Sequence, residues 1–312
     1  MTAESASGTP DCAPGSSSTA GVLISARALR AALDTGGPGL APVVLDCRAA
    51  LSDPEAGRRA WSEATVPGAQ HVDLELDASS PPRAGISGRH PLPDPEVFAA
   101  KARAWGVDAT REVVVFDDAG GGYAARVWWI FRWLGHDAVR VLDGGIAAWE
   151  GEGGSLQPGG PAEIPSGARE PFVARPRSEM LISTAELERT LPLFRLVDAR
   201  APERYAGEQE PLDPIAGHIE GAANHFWKDS LTASGTFAEP SILAAKLSEY
   251  FRDRAPQQVV AYCGSGVTAC HLLLAMQHAG HPGARLYAGS WSEWITDPAR
   301  PRTPATAPRI PG

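Results

Sequence analysis

The chain repeats itself along its length, and this repeat limits its possible folds more than any other feature. Gly135–Trp149 (GHDAVRVLDGGIAAW) aligns without a gap to Gly280–Trp294 (GHPGARLYAGSWSEW), with five of the fifteen positions identical. Three shorter pairs occur in the same order in both halves, namely LISARALRAAL with LISTAELERTL, VVLDCR with FRLVDAR, and VPGAQ with IEGAA. Two copies are too few for a solenoid, and each is long enough to build its own core. The sequence therefore predicts two similar domains in tandem.

Each copy alternates short apolar runs with helical patterns. In the second copy these patterns predict three strands and two helices, the strands at 196–198, 259–262 and 285–287 and the helices at 241–252 and 267–279. Ser183 followed by Glu186 is typical of a capping box at the start of a further helix. Alternating strands and helices indicate an α/β fold, in which each domain is a mostly parallel sheet with helices on both faces.

Stretches rich in glycine, proline and small polar residues divide the 312-residue chain. We predict five parts, which are a disordered N-terminal tail (1–21), a first domain (22–151), a linker (152–178), a second domain (179–297) and a disordered C-terminal tail (298–312). Two domains of roughly 120 to 150 residues are an ordinary division for a chain of this length.

Charge and hydropathy exclude several classes of partner. The net charge of −9 and the sequence pI of about 5.4 argue against nucleic acid or an anionic membrane surface. No apolar run approaches the roughly 20 residues that span a bilayer. The first 21 residues contain no Lys or Arg and no apolar segment typical of a signal peptide. We therefore expect a cytoplasmic protein that binds neither nucleic acid nor membrane.

Four cysteines at irregular spacing indicate neither a disulfide framework nor a zinc site. Cys12 lies in the N-terminal tail, and we expect Cys47 and Cys270 to be core residues because free cysteines are usually buried. Cys263 is different, because it lies in YCGSGVTA, where a predicted strand gives way to a predicted helix. In parallel sheets, ligands bind beyond the carboxyl ends of the strands. Cys263 is therefore the candidate for chemistry.

The residues after Cys263 suit the stabilisation of an anion. Gly264 and Gly266 allow a tight curl whose N–H groups point inward, and the following helix directs its partly positive N-terminus to the same place. Such a cradle stabilises a thiolate and lowers the pKa of its cysteine. The alternative interpretation is a glycine-rich turn around a buried structural cysteine.

Two other cysteine chemistries fit the loop poorly. A cysteine phosphatase needs an arginine six residues after its cysteine, where this chain has Ala269. A papain-like hydrolase needs a histidine base with an orienting Asn or Asp, and nothing in the sequence singles out that arrangement. A thiolate cradle that lacks a phosphate-binding arginine suits the transfer of a sulfur atom.

The chain resembles the tandem-domain rhodanese sulfurtransferases, a family of thiosulfate and 3-mercaptopyruvate sulfurtransferases. The resemblance runs from about Val22 to Thr296 and rests on the motifs VDAR, AGHIEGAAN, RVWWIFRWLGH, LDGGIAAW, YCGSGVTA and GSWSEW. It implies two rhodanese-like domains, of which the second is catalytic and the first is non-catalytic and supplies one wall of the site. In agreement with this, the gapless alignment places Asp118, which is no nucleophile, opposite Cys263.

The resemblance also implies roles for individual residues. The loop is similar to the CGSGVT form of members that favour 3-mercaptopyruvate, which assigns four loop residues to substrate binding, namely Gly264, Gly266, Val267 and Thr268. Arg204 matches the first of two arginines that grip the donor's carboxylate, and Leu212 falls near the place of the second. Ser265, His90 and Glu75 match a proton relay to the departing pyruvate.

These features together predict an enzyme. It moves a sulfur atom from 3-mercaptopyruvate, or from thiosulfate as the second choice, through a Cys263 persulfide to a thiol, cyanide or thioredoxin-like acceptor. The alternative is a non-catalytic sulfur-carrier or anion-binding module that uses the same cradle. We expect no cofactor, and no metal because the other histidines lack ligand spacing. We expect Asp198 and Arg200 to form a structural pair.

Overall fold

The structure is a computed structural model that describes residues 21–36, 41–161 and 169–303. Apart from Gly21, the predicted N-terminal tail with Cys12 lies outside the described residues, and so does the predicted C-terminal tail after residue 303. No helix within the described ranges is both long enough and apolar enough to cross a membrane.

Five strands of the first domain form one sheet, and these are β1 (Leu23–Ile24), β2 (Val43–Asp46), β3 (Gln70–His71), β4 (Val113–Phe116) and β5 (Val139–Leu142). Their order across the sheet is β1-β5-β4-β2-β3, and all neighbours are parallel. The central strands β2 and β4 are buried at every position, because helices cover both faces of a parallel sheet.

The helices of the first domain are α1 (Ala26–Thr35), α2 (Ala56–Glu63), α3 (Pro95–Ala104), α4 (Ala124–Trp133) and α5 (Gly145–Gly151). Every residue of α4 except Arg132 is buried. A helix that is apolar all round is expected in the interior rather than at the surface. It lies between the two domains, as described below.

The second domain has six strands, namely β6 (Arg195–Asp198), β7 (His218–Ile219), β8 (Ala223–Asn224), β9 (Val259–Tyr262), β10 (Arg285–Leu286) and β11 (Arg302–Thr303). Its helices are α6 (Thr184–Thr190), α7 (Pro202–Ala206), α8 (Pro240–Phe251), α9 (Thr268–His278) and α10 (Ser290–Trp294). Four strands form a parallel sheet in the order β10-β9-β6-β8, and β11 pairs with β7 in an antiparallel ribbon. The predicted α/β fold with mostly parallel sheets is confirmed.

Strand register confirms the alignment of Gly135–Trp149 with Gly280–Trp294, but it changes which residue of the first domain corresponds to Cys263. Arg140 and Arg285 are equivalent, because each pairs with the second residue of the neighbouring strand β4 or β9. However, Phe116 corresponds to Tyr262, since each pairs with the aspartate that ends β2 or β6. The residue equivalent to Cys263 is therefore Asp117 and not Asp118 as the gapless alignment predicted. The segment that joins β4 to β5 is one residue longer than its counterpart, which shifts the alignment.

The five elements predicted for the second copy are confirmed with ends shifted by one residue at most, whereas two other predictions are wrong in part. Residues 298–303 of the predicted disordered tail belong to the fold, because Arg302 and Thr303 pair with β7. At α6, the Ser183 hydroxyl accepts the N–H of Glu186 as a capping box requires. The Glu186 carboxylate, however, accepts a hydrogen bond from Arg285 at 3.1 Å. Only one half of the predicted capping box is therefore formed.

The two domains share a buried apolar interface. Helices α4 and α9 pack against each other, and one apolar cluster contains Trp128 and Trp129 of α4 together with Leu273 and Met276 of α9. Each of these helices follows the loop at the carboxyl end of a central strand, β4 or β9. The packing therefore brings the loop of each domain to the same side of the interface, where a cavity opens.

Candidate active site

Cys263 follows the last residue of β9 and begins the loop that leads to α9. Its side chain is buried, with only 2% of its surface exposed. The N–H of Gly266 donates to Sγ at 3.2 Å. Gly266 has a φ of +81°, and a Cβ at this position would lie 2.5 Å from the carbonyl oxygen of Ala288. Glycine is therefore required for this N–H to reach the sulfur without displacing the backbone.

Helix α10 holds the loop from its other side. The N–H groups of Trp291 and Ser292 donate to the carbonyl oxygens of Cys263 and Gly264 at 3.0 and 2.9 Å. The Ser290 hydroxyl accepts the N–H of Cys263 at 3.1 Å. The helix thus uses N–H groups that have no partner within it to fix the loop. Sequence analysis gave these residues no role, although they lie in the GSWSEW motif.

The surroundings of Cys263 favour a thiolate. Burial by itself raises the pKa of a thiol. Hydrogen bonds from the Thr268 hydroxyl and from the N–H groups of Ser265 and Ala269 outweigh burial, so that the pKa of Cys263 lies below its ordinary value. By contrast, burial raises the pKa of Cys270 to about 12, and it raises the pKa of Cys47 as well. Both are buried core cysteines, as predicted.

The equivalent loop of the first domain is filled by its own side chain. The buried carboxylate of Asp117 accepts four N–H groups at 2.8 to 2.9 Å, from Ala119, Gly121, Tyr123 and Ala124. These are the groups that would otherwise bind an external anion. The exposed Asp118 instead lines the cavity. The first domain therefore has neither a nucleophile nor an open cradle.

Ser265, His90 and Glu75 form one hydrogen-bonded chain across the two domains. The Nδ1 of His90 lies 2.7 Å from the Ser265 hydroxyl, and its Nε2 lies 2.7 Å from a Glu75 oxygen. Burial lowers the pKa of His90, and the neighbouring Glu75 only partly opposes this. In the neutral ring, Nε2–H donates to Glu75, which leaves Nδ1 to accept the Ser265 O–H. The structure thus brings together three residues that are far apart in the sequence.

Arg126 is a buried cation that sequence analysis did not identify. It projects from α4, and its guanidinium donates to the carbonyl oxygens of Gly266 and His90, each at 3.0 Å. Burial lowers the pKa of Arg126. One side chain therefore connects the loop of Cys263 to the backbone of His90. A signal for it was present, because Arg126 interrupts the otherwise apolar run from Ala124 to Phe131.

A network of ion pairs borders the loop on the side of the second domain. Arg200 donates to Asp198 at 2.7 Å and to Glu210 at 3.1 Å. Burial lowers the pKa of Arg200, but the neighbouring acidic groups, Asp198 foremost, together outweigh burial and raise that pKa. The predicted structural pair of Asp198 and Arg200 is present. Arg204 donates to Glu210 at 2.6 Å and to Asp213 at 3.2 Å. Arg204 also lines the cavity described below.

The cavity has a volume of about 710 Å³ and opens between the domains. Six of the predicted site residues line it, namely Cys263, Gly264, Ser265, Val267, Thr268 and Arg204. Gly266 lies in the loop beneath them, and His90 and Glu75 connect to the cavity through Ser265. Leu212 also lines the cavity, and so does Arg89, which sequence analysis missed. Three aromatic residues, Tyr123, Phe226 and Trp227, also line the cavity.

The arrangement combines a cysteine whose thiolate is stabilised, a hydrogen-bonded chain of serine, histidine and glutamate, and two arginines that are paired with carboxylates. In the described parts of the chain, no three side chains of His, Cys, Asp or Glu are grouped so that they could hold a metal ion. A cysteine thiolate is nucleophilic without a metal. The residues at hand therefore suffice for covalent chemistry at sulfur.

Comparisons with known proteins agree with this chemistry. A family model described as "Rhodanese-like domain" matches residues 25–152 and 183–297. The chain is 50% identical over 262 residues to a "probable 3-mercaptopyruvate sulfurtransferase" of Pseudomonas aeruginosa, with 83% of this chain and 91% of the relative covered. It is 38% identical over 286 residues to a "putative thiosulfate sulfurtransferase" of Mycobacterium tuberculosis, with 92% and 98% covered.

A comparison with solved structures gives the same picture. The structure is similar to that of 3-mercaptopyruvate sulfurtransferase from Leishmania major, with a TM-score of 0.76 and 26% sequence identity. The match covers 88% of this chain and 74% of that chain.

Proposed function

The chain belongs to the rhodanese family and contains two rhodanese-like domains, and we propose that it transfers sulfur from 3-mercaptopyruvate through a persulfide on Cys263. The observation that carries this proposal is the cradle of Cys263. Its thiolate is stabilised by Thr268 and backbone N–H groups, and it lies next to a hydroxyl that is hydrogen-bonded to His90. Of the relatives described above, the one with the higher identity is named for this donor.

The first half of the reaction loads the sulfur. The Cys263 thiolate attacks the thiol sulfur of the donor, and an S–S bond forms as the S–C bond breaks. The electron pair of the broken bond passes to the donor's carbon. The proton of the donor's thiol passes to that carbon, which leaves as the methyl group of pyruvate. The persulfide anion stays in the cradle, where the inward N–H groups stabilise it.

Ser265, His90 and Glu75 carry the proton in this step. The neutral His90 accepts from Ser265, so that the serine oxygen can take the donor's thiol proton while its own proton moves to Nδ1. The reverse movement returns a proton to the departing carbon. Glu75 holds the ring in the required tautomer through Nε2. A histidine suits this role because its charge changes near neutral pH.

The second half of the reaction unloads the sulfur. An acceptor such as cyanide or a thiolate attacks the outer sulfur, the S–S bond breaks, and its electron pair returns to Cys263. The cavity of about 710 Å³ is larger than cyanide or pyruvate requires. This size supports an acceptor that is a larger thiol, including a thiol presented by a thioredoxin-like protein.

Thiosulfate is the second candidate donor, which the relative named for thiosulfate supports. The residues that follow Cys263 in the loop, Gly264 and Ser265, are uncharged. A dianion next to a thiolate needs more positive charge than a monocarboxylate does. For this reason we rank 3-mercaptopyruvate first.

The test is the intact mass of the protein after brief exposure to each donor. We expect 3-mercaptopyruvate to add one sulfur atom to the wild type and to Cys47→Ser, but none to Cys263→Ser. Cys47 is the matched control because it is also buried at the end of a strand. Subsequent cyanide should remove the sulfur and release thiocyanate. Loading of Cys263→Ser would refute the persulfide, and loading without release would favour the sulfur-carrier alternative.

A further inference from the structure

Arg89 reaches the catalytic loop from the first domain, and its backbone is held in place there. The N–H of Arg89 donates to the hydroxyl of Ser292 in α10 at 3.1 Å. The preceding residue, Gly88, packs so closely that a Cβ on it would lie 2.6 Å from the carbonyl oxygen of Gly289. Arg89 is therefore held against the same helix that fixes the loop of Cys263.

The guanidinium groups of Arg89 and Arg204 converge on Gly264. A Cβ at Gly264 would lie 2.9 Å from Nη2 of Arg89, and 3.3 and 3.5 Å from Nη2 and Nη1 of Arg204. The two side chains come from different domains, yet they meet one residue after the nucleophile. Because Gly264 has no side chain, both guanidinium groups can pack against its backbone, and both arginines line the same cavity as Cys263.

Two carboxylates, Asp213 and Glu210, fix the orientation of both guanidinium groups. Arg89 pairs through Nη1 with Asp213, which also accepts from Nη2 of Arg204, while Glu210 accepts from Nε and Nη2 of Arg204. Among the hydrogen bonds of the described residues, Nη2 of Arg89 and Nη1 of Arg204 have no protein acceptor. Both guanidinium groups lie against Gly264, and both arginines line the cavity. A planar anion in the cavity beside Gly264 would accept hydrogen bonds from both groups.

We propose that Arg89 and Arg204 together bind the carboxylate of the sulfur donor, so that the two domains share one carboxylate site. This inference rests on the proposed function for the identity of the donor. A carboxylate bound in the cavity beside Gly264 lies close to Cys263, because consecutive Cα atoms are about 3.8 Å apart. A thiol separated from its carboxylate by two carbon atoms can therefore reach Sγ. Arg89 supplies the second cation, whereas Leu212, near the place where the resemblance would put an arginine, is apolar and partly exposed.

Alkylation of Cys263 tests the carboxylate site without any sulfur transfer. Iodoacetate carries a carboxylate, iodoacetamide is its neutral analogue, and the thiolate displaces iodide from either reagent. The readout is the ratio of the iodoacetate rate constant to the iodoacetamide rate constant, relative to the same ratio for free cysteine. We expect wild type to favour iodoacetate and Arg89→Ala to lose roughly tenfold or more of this preference, the usual effect of removing a charged hydrogen-bond donor.

Two variants accompany Arg89→Ala. Arg83→Ala removes one positive charge from an exposed position in the same segment of the first domain, and it should retain the wild-type ratio. Arg89→Lys keeps the charge without the planar fork, and it should restore part of the preference. With 3-mercaptopyruvate, Arg89→Ala should raise KM more than it lowers kcat, because the carboxylate is bound before and during the reaction.

The possible outcomes separate this inference from the proposed function. If Arg89→Ala matches Arg83→Ala in the alkylation ratio, Arg89 only pairs with Asp213 and the inference is wrong. The inference is equally wrong if wild type shows no preference for iodoacetate. If the preference exists and depends on Arg89 while no donor loads sulfur, the carboxylate site stands and the proposed function fails.

Discussion

Replacement of Gly266 by alanine tests the geometry on which the cradle of Cys263 depends. Gly266 has a φ of +81°, and an L-residue in the left-handed region costs about 1–2 kcal/mol of stability. The added Cβ would also lie 2.5 Å from the carbonyl oxygen of Ala288, so that the backbone has to move. Overpacking of this kind costs about 1–3 kcal/mol. We therefore expect Gly266→Ala to lose about 2–5 kcal/mol of unfolding free energy.

Gly280→Ala is the matched control, because Gly280 has a φ of +83° and no atom within 4 Å of its Cβ position. Gly280→Ala should lose only the unfolding free energy that an L-residue in the left-handed region costs, about 1–2 kcal/mol. For domains of up to 250 residues, each kcal/mol lowers Tm by about 2 °C or more, so a thermal melt resolves the two variants. The comparison isolates the close approach of Gly266 to Ala288 from the backbone conformation that both glycines share.

Reactivity gives a second readout for the same pair of variants. In the wild type, the N–H of Gly266 lies 3.2 Å from Sγ of Cys263. In Gly266→Ala, the displaced loop should move the N–H of residue 266 away from this sulfur. The pKa of Cys263 should then rise, and alkylation by iodoacetamide at neutral pH should slow, whereas Gly280→Ala should react like wild type. The reasoning is refuted if the two variants have the same Tm and the same alkylation rate.

Two further predictions concern the pKa of Cys263 and the relay. The Thr268 hydroxyl lowers the pKa of Cys263, so Thr268→Val should raise that pKa and move the midpoint of the iodoacetamide pH–rate profile upward, while Thr268→Ser restores it. An unmoved midpoint would remove Thr268 from the cradle. His90→Ala should slow sulfur loading from 3-mercaptopyruvate by about 10²-fold or more, yet leave alkylation by iodoacetamide unchanged, since alkylation needs no proton transfer to carbon. Rapid-quench loading at wild-type rate would contradict the relay.

The parts of the fold that depend on local sequence could be predicted. The strands and helices around Cys263 follow from apolar periodicity and from the glycines that end them, and the structure places them within one residue. The two-residue strand β11 has no pattern of its own, because its partner β7 stabilises it. The Glu186 carboxylate pairs with Arg285, on the neighbouring strand β10, which a local capping rule does not consider.

The candidate site was predictable where one loop carries it and less so where the two domains meet. Ser265 and His90 are 175 positions apart, and only the resemblance connected them before the structure did. Arg89 and Arg126 escaped notice, because their partners are carboxylates and carbonyl oxygens of the other domain. The equivalence of Asp117 and Cys263 required strand register, since a single extra residue misleads an ungapped alignment.

The closed loop around Asp117 has a consequence for how the two halves of the chain can evolve. Asp117 fills the cradle of the first copy, yet three residues of that copy, Glu75, His90 and Arg126, are hydrogen-bonded directly or through one another to the loop of the second copy. Under the proposed function, a gene fragment that encodes only residues 179–297 would specify Cys263 without His90 and Glu75. Selection on that activity would then act on both halves together.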